Sequence, residues 1–409
     1  MNGVINRGIR EQMANASWIR RMFETGIECK KRLGAENVFD FSLGNPDVPP
    51  PAAAADALRA LAVRVTQPMG LGYVPNAGTP GFREKMARKL SVEQQTPLEA
   101  RHVIATCGAA GALTSFFRAV IEPGDEVVCF APYFVEYGSY CGHFGGVLKP
   151  VPATPPDFQP DLAALEKAIT PRTRVLLVNS PNNPTGCVYD AATMQALGAW
   201  LARVNSGRER PVFLVADEPY RTLAYDGVVV PPVLPLSPFA VVVGSFSKSL
   251  SLAGERVGYL TVNPAMPGAQ LLLDAVTMTN RTLGFVNAPV IGQALVEALL
   301  DCSVDVAIYD RRRKAMAQAL TDAGIAFAMP RGAFYFFPVA PGGDDEAFVR
   351  RLLEENILAV PGRGFGFPGY FRLTFCVDER VINRAAPGFK RAAGDFCGRH
   401  GGRPSMKTN

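Results

Sequence analysis

Val212-Phe213-Leu214-Val215-Ala216-Asp217-Glu218-Pro219-Tyr220 is an apolar run that stops on two acids and a proline. A short, almost wholly apolar run of this kind reads as a strand covered on both faces. The pattern recurs on either side, at residues 102–106, 126–130, 147–151, 174–179 and 240–244. Helical patterns at 110–120, 162–169 and 191–204 lie between these runs. Such alternation predicts an α/β domain of three layers, a mostly parallel sheet with helices on both faces.

The ends of the chain read differently. Residues 1–48 hold one helical stretch and the turn-rich Leu43-Gly44-Asn45-Pro46-Asp47. A long helical stretch over 296–323 precedes segments at 334–337, 348–355 and 371–376. This predicts a smaller α/β domain built from both termini. The expected divisions are 1–48 (arm and part of the small domain), 49–294 (large domain), 295–400 (small domain) and 401–409, a polar, disordered tail.

Composition narrows the function. The 409 residues are 48% hydrophobic and 19% charged, which excludes a disordered chain. A net charge of +5, scattered along the sequence, gives no footprint for nucleic acid. No apolar run approaches the roughly 18 residues of a membrane span, and the N-terminus has no apolar signal-peptide core. Eight cysteines without a C-x-x-C pair, and three histidines, predict no metal site and a reduced, cytoplasmic protein.

Four strand ends carry chemistry. The run 241–248 ends in Ser245-Phe246-Ser247-Lys248, with Arg256 eight residues on. A lysine behind an apolar strand is costly unless partnered, and desolvation frees its amine to attack a carbonyl. Two hydroxyls and a guanidinium beside it suit a phosphate monoester; a solvated loop with a surface lysine is the alternative. Asp217 ends its own strand and could keep a pyridine nitrogen protonated, or could cap a helix. Asn179-Ser180-Pro181-Asn182-Asn183-Pro184-Thr185-Gly186 is an ordinary turn or a source of Asn183 for a ring oxygen. Thr106-Cys107-Gly108-Ala109-Ala110-Gly111 opens a helix through small residues, as an anion site or as close packing.

Two further patterns weigh less. Gly364-Phe365-Gly366-Phe367-Pro368-Gly369 matches G-x-G-x-x-G, but a β-rich segment follows where a dinucleotide site needs a helix, so a flexible loop is expected. Ser245-Phe246-Ser247-Lys248 also matches the S-x-x-K of acyl-serine hydrolases, without that family's companion motifs.

Together these motifs resemble the fold-type I aminotransferases that use pyridoxal 5′-phosphate, the class I/II or aspartate-aminotransferase-like family. The resemblance spans Gly44 to Arg372 in family order, and 31 residues separate Asp217 from Lys248. It implies that Lys248 forms a Schiff base with the cofactor and then shuttles the substrate's proton. Asp217 pairs with the ring nitrogen, and Asn183 and Tyr220 bond the ring's 3-oxygen. Ser245, Ser247, Arg256 and the backbone N–H groups of Gly108, Ala109 and Ala110 hold the phosphate. Phe134, where relatives often carry Trp, stacks on the ring. Arg372 clamps the substrate α-carboxylate beside Gly44, and Tyr73 reaches the phosphate of a partner subunit, which implies a homodimer. Arg281 stands in the region where dicarboxylate-specific relatives hold the distal carboxylate; an interface arginine is as good a reading. The expected reaction is ping-pong transfer of an amino group between an L-amino acid and a 2-oxo acid, with aspartate and glutamate as candidate substrates. A C–S lyase of the same fold is the alternative. A transcription regulator of this fold would need a DNA-binding module that the 43 residues before Gly44 do not supply.

Overall fold

The structure is a computed structural model describing residues 4–14 and 18–399. The expected tail lies outside them. The chain forms two compact units. One comprises Met1–Gly44, Tyr309–Met329 and Phe334–Asn409; the other comprises Asn45–Ile308 and Pro330–Ala333. These ends differ from the expected divisions at 48 and 294.

The second unit is organised by a seven-stranded sheet: β1 (Val103–Thr106), β2 (Glu126–Ala131), β3 (Val147–Pro152), β4 (Thr173–Asn179), β5 (Phe213–Asp217), β6 (Ala240–Ser245) and β7 (Gly258–Val262). The order is β1-β7-β6-β5-β4-β2-β3. Neighbours are parallel except at β7, which runs antiparallel to both β1 and β6. Six strands match the sequence reading to within one residue; β7 was not expected.

Strands β1, β2, β5, β6 and β7 are buried along their whole length, which explains their unbroken apolar character. The helix Gly108–Val120 packs Ala112, Leu113, Phe116 and Phe117 into a cluster with Val127, Val175, Val215, Val241 and Leu260. Phe116 meets Phe213 edge-on, with centroids 5.4 Å apart. Truncating such a ring costs about 3–5 kcal/mol, so this cluster anchors the helix firmly.

The helical stretch expected over 296–323 is two helices, Val290–Leu299 and Val306–Asp322. Between them the Val304 N–H donates to Ser249 O at 2.8 Å, a bond that no continuous helix could make. The N-terminal helical stretch includes the helical segments Arg7–Ala14 and Trp18–Leu33; residues 15–17 lie outside the described residues.

The first unit holds small sheets. Phe39–Asp40 pairs in parallel with Ile357–Leu358. Phe371–Thr374 lies between Val360–Pro361 and Tyr335–Phe336, antiparallel to both. Among the described residues no helix is long and apolar enough to cross a membrane.

Candidate active site

Strands β4, β5 and β6 finish side by side at one edge of the sheet. Asn179 is in register with Asp217, and Asp217 with Val243. Ser245 closes β6, and Ser247 and Lys248 follow in the next turn. The reversed β7 completes this edge. Its first residue, Gly258, pairs with Ser245 on one side and with Thr106 on the other. Arg256, two residues earlier, therefore emerges where β1 and β6 end and where the helix Gly108–Val120 begins. Carboxyl ends of parallel strands are where such sheets bind ligands.

Asp217 is buried and held on two sides. Its backbone carbonyl accepts from Asn179 Nδ2 at 2.8 Å, and its Oδ2 accepts from the Tyr137 hydroxyl at 2.6 Å. Its Oδ1 is buried with no hydrogen-bond partner. Burial pushes the carboxyl up to about 6, while the Tyr137 bond works in the opposite direction. A buried acid with one oxygen satisfied and one unpaired costs free energy unless a donor completes it.

Gly108, Gly258 and Arg256 form a tight corner. A Cβ on Gly108 would lie 2.7 Å from Arg256 Nη2, and one on Gly258 would lie 2.4 Å from the Gly108 carbonyl carbon. Gly108 also has φ +69°, a conformation glycine adopts without strain. Arg256, itself left-handed at φ 52°, is anchored by an Nη1 bond to Ala253 O at 2.9 Å. Its guanidinium thus lies against a helix N-terminus whose own partial charge is positive. An anion placed between these two positive groups would be held by both.

The remaining sequence-derived residues fall as follows. Asn183 is buried, and its N–H donates to Asn179 Oδ1 at 2.8 Å, which ties its loop to the end of β4. Tyr220 is buried in the turn after β5; Ser245 and Ser247 are buried, and Ala109 and Ala110 lie in the first turn of their helix. Phe134 is half-buried and meets the Tyr137 ring edge-on, centroids 5.5 Å apart. Tyr73 is 86% exposed. Arg281 is exposed on the last turn of the helix Ala269–Thr282.

Arg372 and Gly44 belong to the first unit. Arg372 is 2% exposed, and its Nη2 donates to Ser42 O. Its Cζ lies 4.7 Å from the Tyr335 ring centroid and 4.8 Å from that of Phe365. A Cβ on Gly44 would fall 2.0 Å from the Tyr335 hydroxyl oxygen, so only glycine leaves room for that ring.

Sequence reasoning missed Tyr137, Tyr335 and Phe365. Tyr137 carried one usable signal, an aromatic three residues beyond Phe134 on a short helix.

Comparison with known proteins gives a consistent result. The family model described as "Aminotransferase class I and II" matches residues 36–389. The aspartate/prephenate aminotransferase of Thermus thermophilus is 33% identical over 377 residues, covering 89% of this chain and 93% of the relative. The aspartate aminotransferase of Thermotoga maritima is 33% identical over 357 residues, covering 86% and 90%. An aminotransferase structure from Eubacterium rectale superposes with a TM-score of 0.91 at 37% identity, covering 96% of this chain and 99% of that one.

Proposed function

Because this chain belongs to the class I and II aminotransferases, enzymes dependent on pyridoxal 5′-phosphate, we propose that the strand-end residues above hold that cofactor and that aspartate is one amino donor. The reaction class is transfer of an amino group between an amino acid and a 2-oxo acid. The observation that carries the site assignment is Asp217: a buried acid whose Oδ1 has no partner and whose Oδ2 is fixed.

The residues fit the cofactor's chemistry. Asp217 Oδ1 would accept from the protonated ring nitrogen. Arg256, the hydroxyls of Ser245 and Ser247, and the N–H groups of Gly108, Ala109 and Ala110 would hold the phosphate dianion. Asn183 and Tyr220 would donate to the ring's 3-oxygen, and Phe134 would cover a ring face. When bound, pyridoxal 5′-phosphate supplies a reactive aldehyde carbon and a ring that accepts the electron pair of a breaking Cα–H bond.

The protein's own contribution is orientation and proton movement. Arg372 binds the substrate α-carboxylate with two parallel N–H donors. That fixes the Cα–H bond, and fixed orientation supplies much of the acceleration. The Lys248 amine would serve as the base that takes the proton from the substrate Cα and holds it for return, and Asp217 would keep the ring nitrogen charged. With the cofactor carrying the amino group between two half-reactions, kinetics would be ping-pong.

The aspartate assignment is supported by the names of the relatives and by Arg281, a candidate for the distal carboxylate. A homodimer is supported by exposed Val63, Val65, Met69, Leu71 and Tyr73 in one short segment. The test is the absorption spectrum of the protein with cofactor, mixed separately with aspartate, alanine, phenylalanine and cysteine. Bleaching by aspartate that a 2-oxo acid restores supports the reading. No response to aspartate removes it as donor, and pyruvate with sulfide from cysteine would move the reaction to a lyase.

A further inference from the structure

The segment Gly364-Phe365-Gly366-Phe367-Pro368-Gly369, which the sequence leaves as a flexible loop without a dinucleotide to bind, is fixed within the first unit. We infer that it is a positioning device for substrate carboxylate binding: it holds Phe365 over the Arg372 guanidinium, and Asp345 pins the segment in place. The inference rests on the carboxylate role proposed for Arg372.

Asp345 is fully buried at the first turn of the helix Asp345–Glu354. Its Oδ2 accepts from the Arg363 N–H at 2.9 Å, and its Oδ1 accepts from the Gly369 N–H at 3.3 Å. One carboxylate therefore holds both ends of the segment. The Arg363 side chain adds a bond from Nη2 to Oδ1 at 2.9 Å, which neutralises the buried charge. The backbone closes the same loop: Gly362 N–H donates to Tyr370 O at 2.7 Å, and Phe367 N–H to Gly362 O at 3.0 Å. A Cβ on Gly362 would lie 2.4 Å from Phe367 O, so the closure needs glycine there.

This closure sets one ring. Phe365 is fully buried, edge-on to Phe337 with centroids 6.1 Å apart, and its own centroid is 4.8 Å from Arg372 Cζ. Tyr335, in register with Thr374, brings the second ring to 4.7 Å. A guanidinium covered by two rings and tied to Ser42 O has few orientations left. Its N–H edge is then set before substrate arrives, and binding loses less freedom. Because every amino acid carries the same α-carboxylate, the effect is independent of side chain.

The test uses the holoenzyme with Phe365→Leu, Asp345→Asn and Arg372→Lys. The probes are 2-methylaspartate and 2-methylalanine, which lack the Cα–H bond that must break, with dissociation constants read by calorimetry. Phe365→Leu is expected to weaken both probes equally, by about three- to tenfold. KM for aspartate, alanine and phenylalanine rises by the same factor, with a smaller change in kcat. Asp345→Asn shifts binding in the same direction by less, and serves alone if Phe365→Leu does not fold. Unchanged affinity in these variants, or a loss that depends on the side chain, overturns the inference while Arg372→Lys still weakens binding. If Arg372→Lys binds both probes like the parent, the carboxylate reading falls and the inference with it.

Discussion

The Tyr137 hydroxyl donates to Asp217 Oδ2 across 2.6 Å, leaving Oδ1 as the single unpaired oxygen of a buried acid. The tyrosine therefore selects which oxygen is available and favours the ionised form against burial. Tyr137→Phe keeps the ring beside Phe134 but leaves both oxygens unpaired. The cofactor dissociation constant is expected to rise about tenfold, the worth of one hydrogen bond to a charged group. Fluorescence titration of cofactor-free protein measures it, and parental affinity would refute the role.

Asp217 also makes cofactor-free protein sensitive to pH. Its carboxyl is raised from 3.8 to about 6 by folding, so between these values the folded chain keeps a proton the unfolded chain has lost. Stability from this group is complete below about pH 4 and is lost as pH rises through about 6. Asp217→Asn removes that loss. The variant's unfolding midpoint should gain on the parent's as pH is raised from about 4 to about 7, the range that spans both titrations. A gap that stays constant with pH contradicts the argument.

On the proposed assignment, variants at Arg256 and Gly108 separate phosphate binding from ring binding. Arg256→Ala should weaken pyridoxal 5′-phosphate by about 10–100-fold, the worth of charge-assisted bonds, while pyridoxal without its phosphate binds as before. Gly108→Ala sets a Cβ 2.7 Å from Arg256 Nη2 and should show the same selective loss. Equal weakening of both compounds would place the phosphate elsewhere.

On the proposed reading, Lys248→Ala removes both the covalent attachment and the base, and should slow amino transfer from aspartate by at least about 10³-fold. Borohydride treatment of the parent should leave a reduced cofactor on the peptide containing residue 248, and none on the variant. Covalent labelling of Ser245 by a β-lactam, with no cofactor fixed on Lys248, would revive the acyl-serine reading.

Val63, Val65, Met69, Leu71 and Tyr73 are each more than half exposed. Sedimentation should give two chains per particle. Leu71→Asp should shift it towards one, with activity falling on dilution. A parent that sediments as one chain at all concentrations excludes the dimer.

Much of the sheet was legible because residue burial follows strand direction. An apolar run that stops on Asp217, or on Ser245 and Lys248, marks both a strand and the end at which it leaves the sheet. The strand Gly258–Val262 is harder to read: Tyr259, Leu260 and Val262 have the right character, but they follow closely on Arg256. The break between Leu299 and Val306 was hidden because helical periodicity continued across Asp301 to Asp305, and the competing bond to Ser249 is a tertiary fact. Tyr137 lies 80 residues from Asp217, and Asp345 lies 18 and 24 residues from Arg363 and Gly369. No local pattern announces such pairs. Loops rich in glycine look mobile in sequence when a distant carboxylate is what holds them.

The pairing of Phe39–Asp40 with Ile357–Leu358 has a consequence for biosynthesis. The N-terminal strand leaves the ribosome roughly 300 residues before its partner exists. At about 5–20 residues per second, that is a wait of roughly 15–60 s with an unpaired strand edge. The seven strands from Val103 to Val262 are translated entirely within this interval. The large sheet can therefore assemble on the nascent chain, while the unit carrying Arg372 cannot be completed until Ile357–Leu358 has been made. A truncation that removes the last sixty or so residues should then yield protein with an intact sheet and an N-terminal segment open to chaperones and proteases.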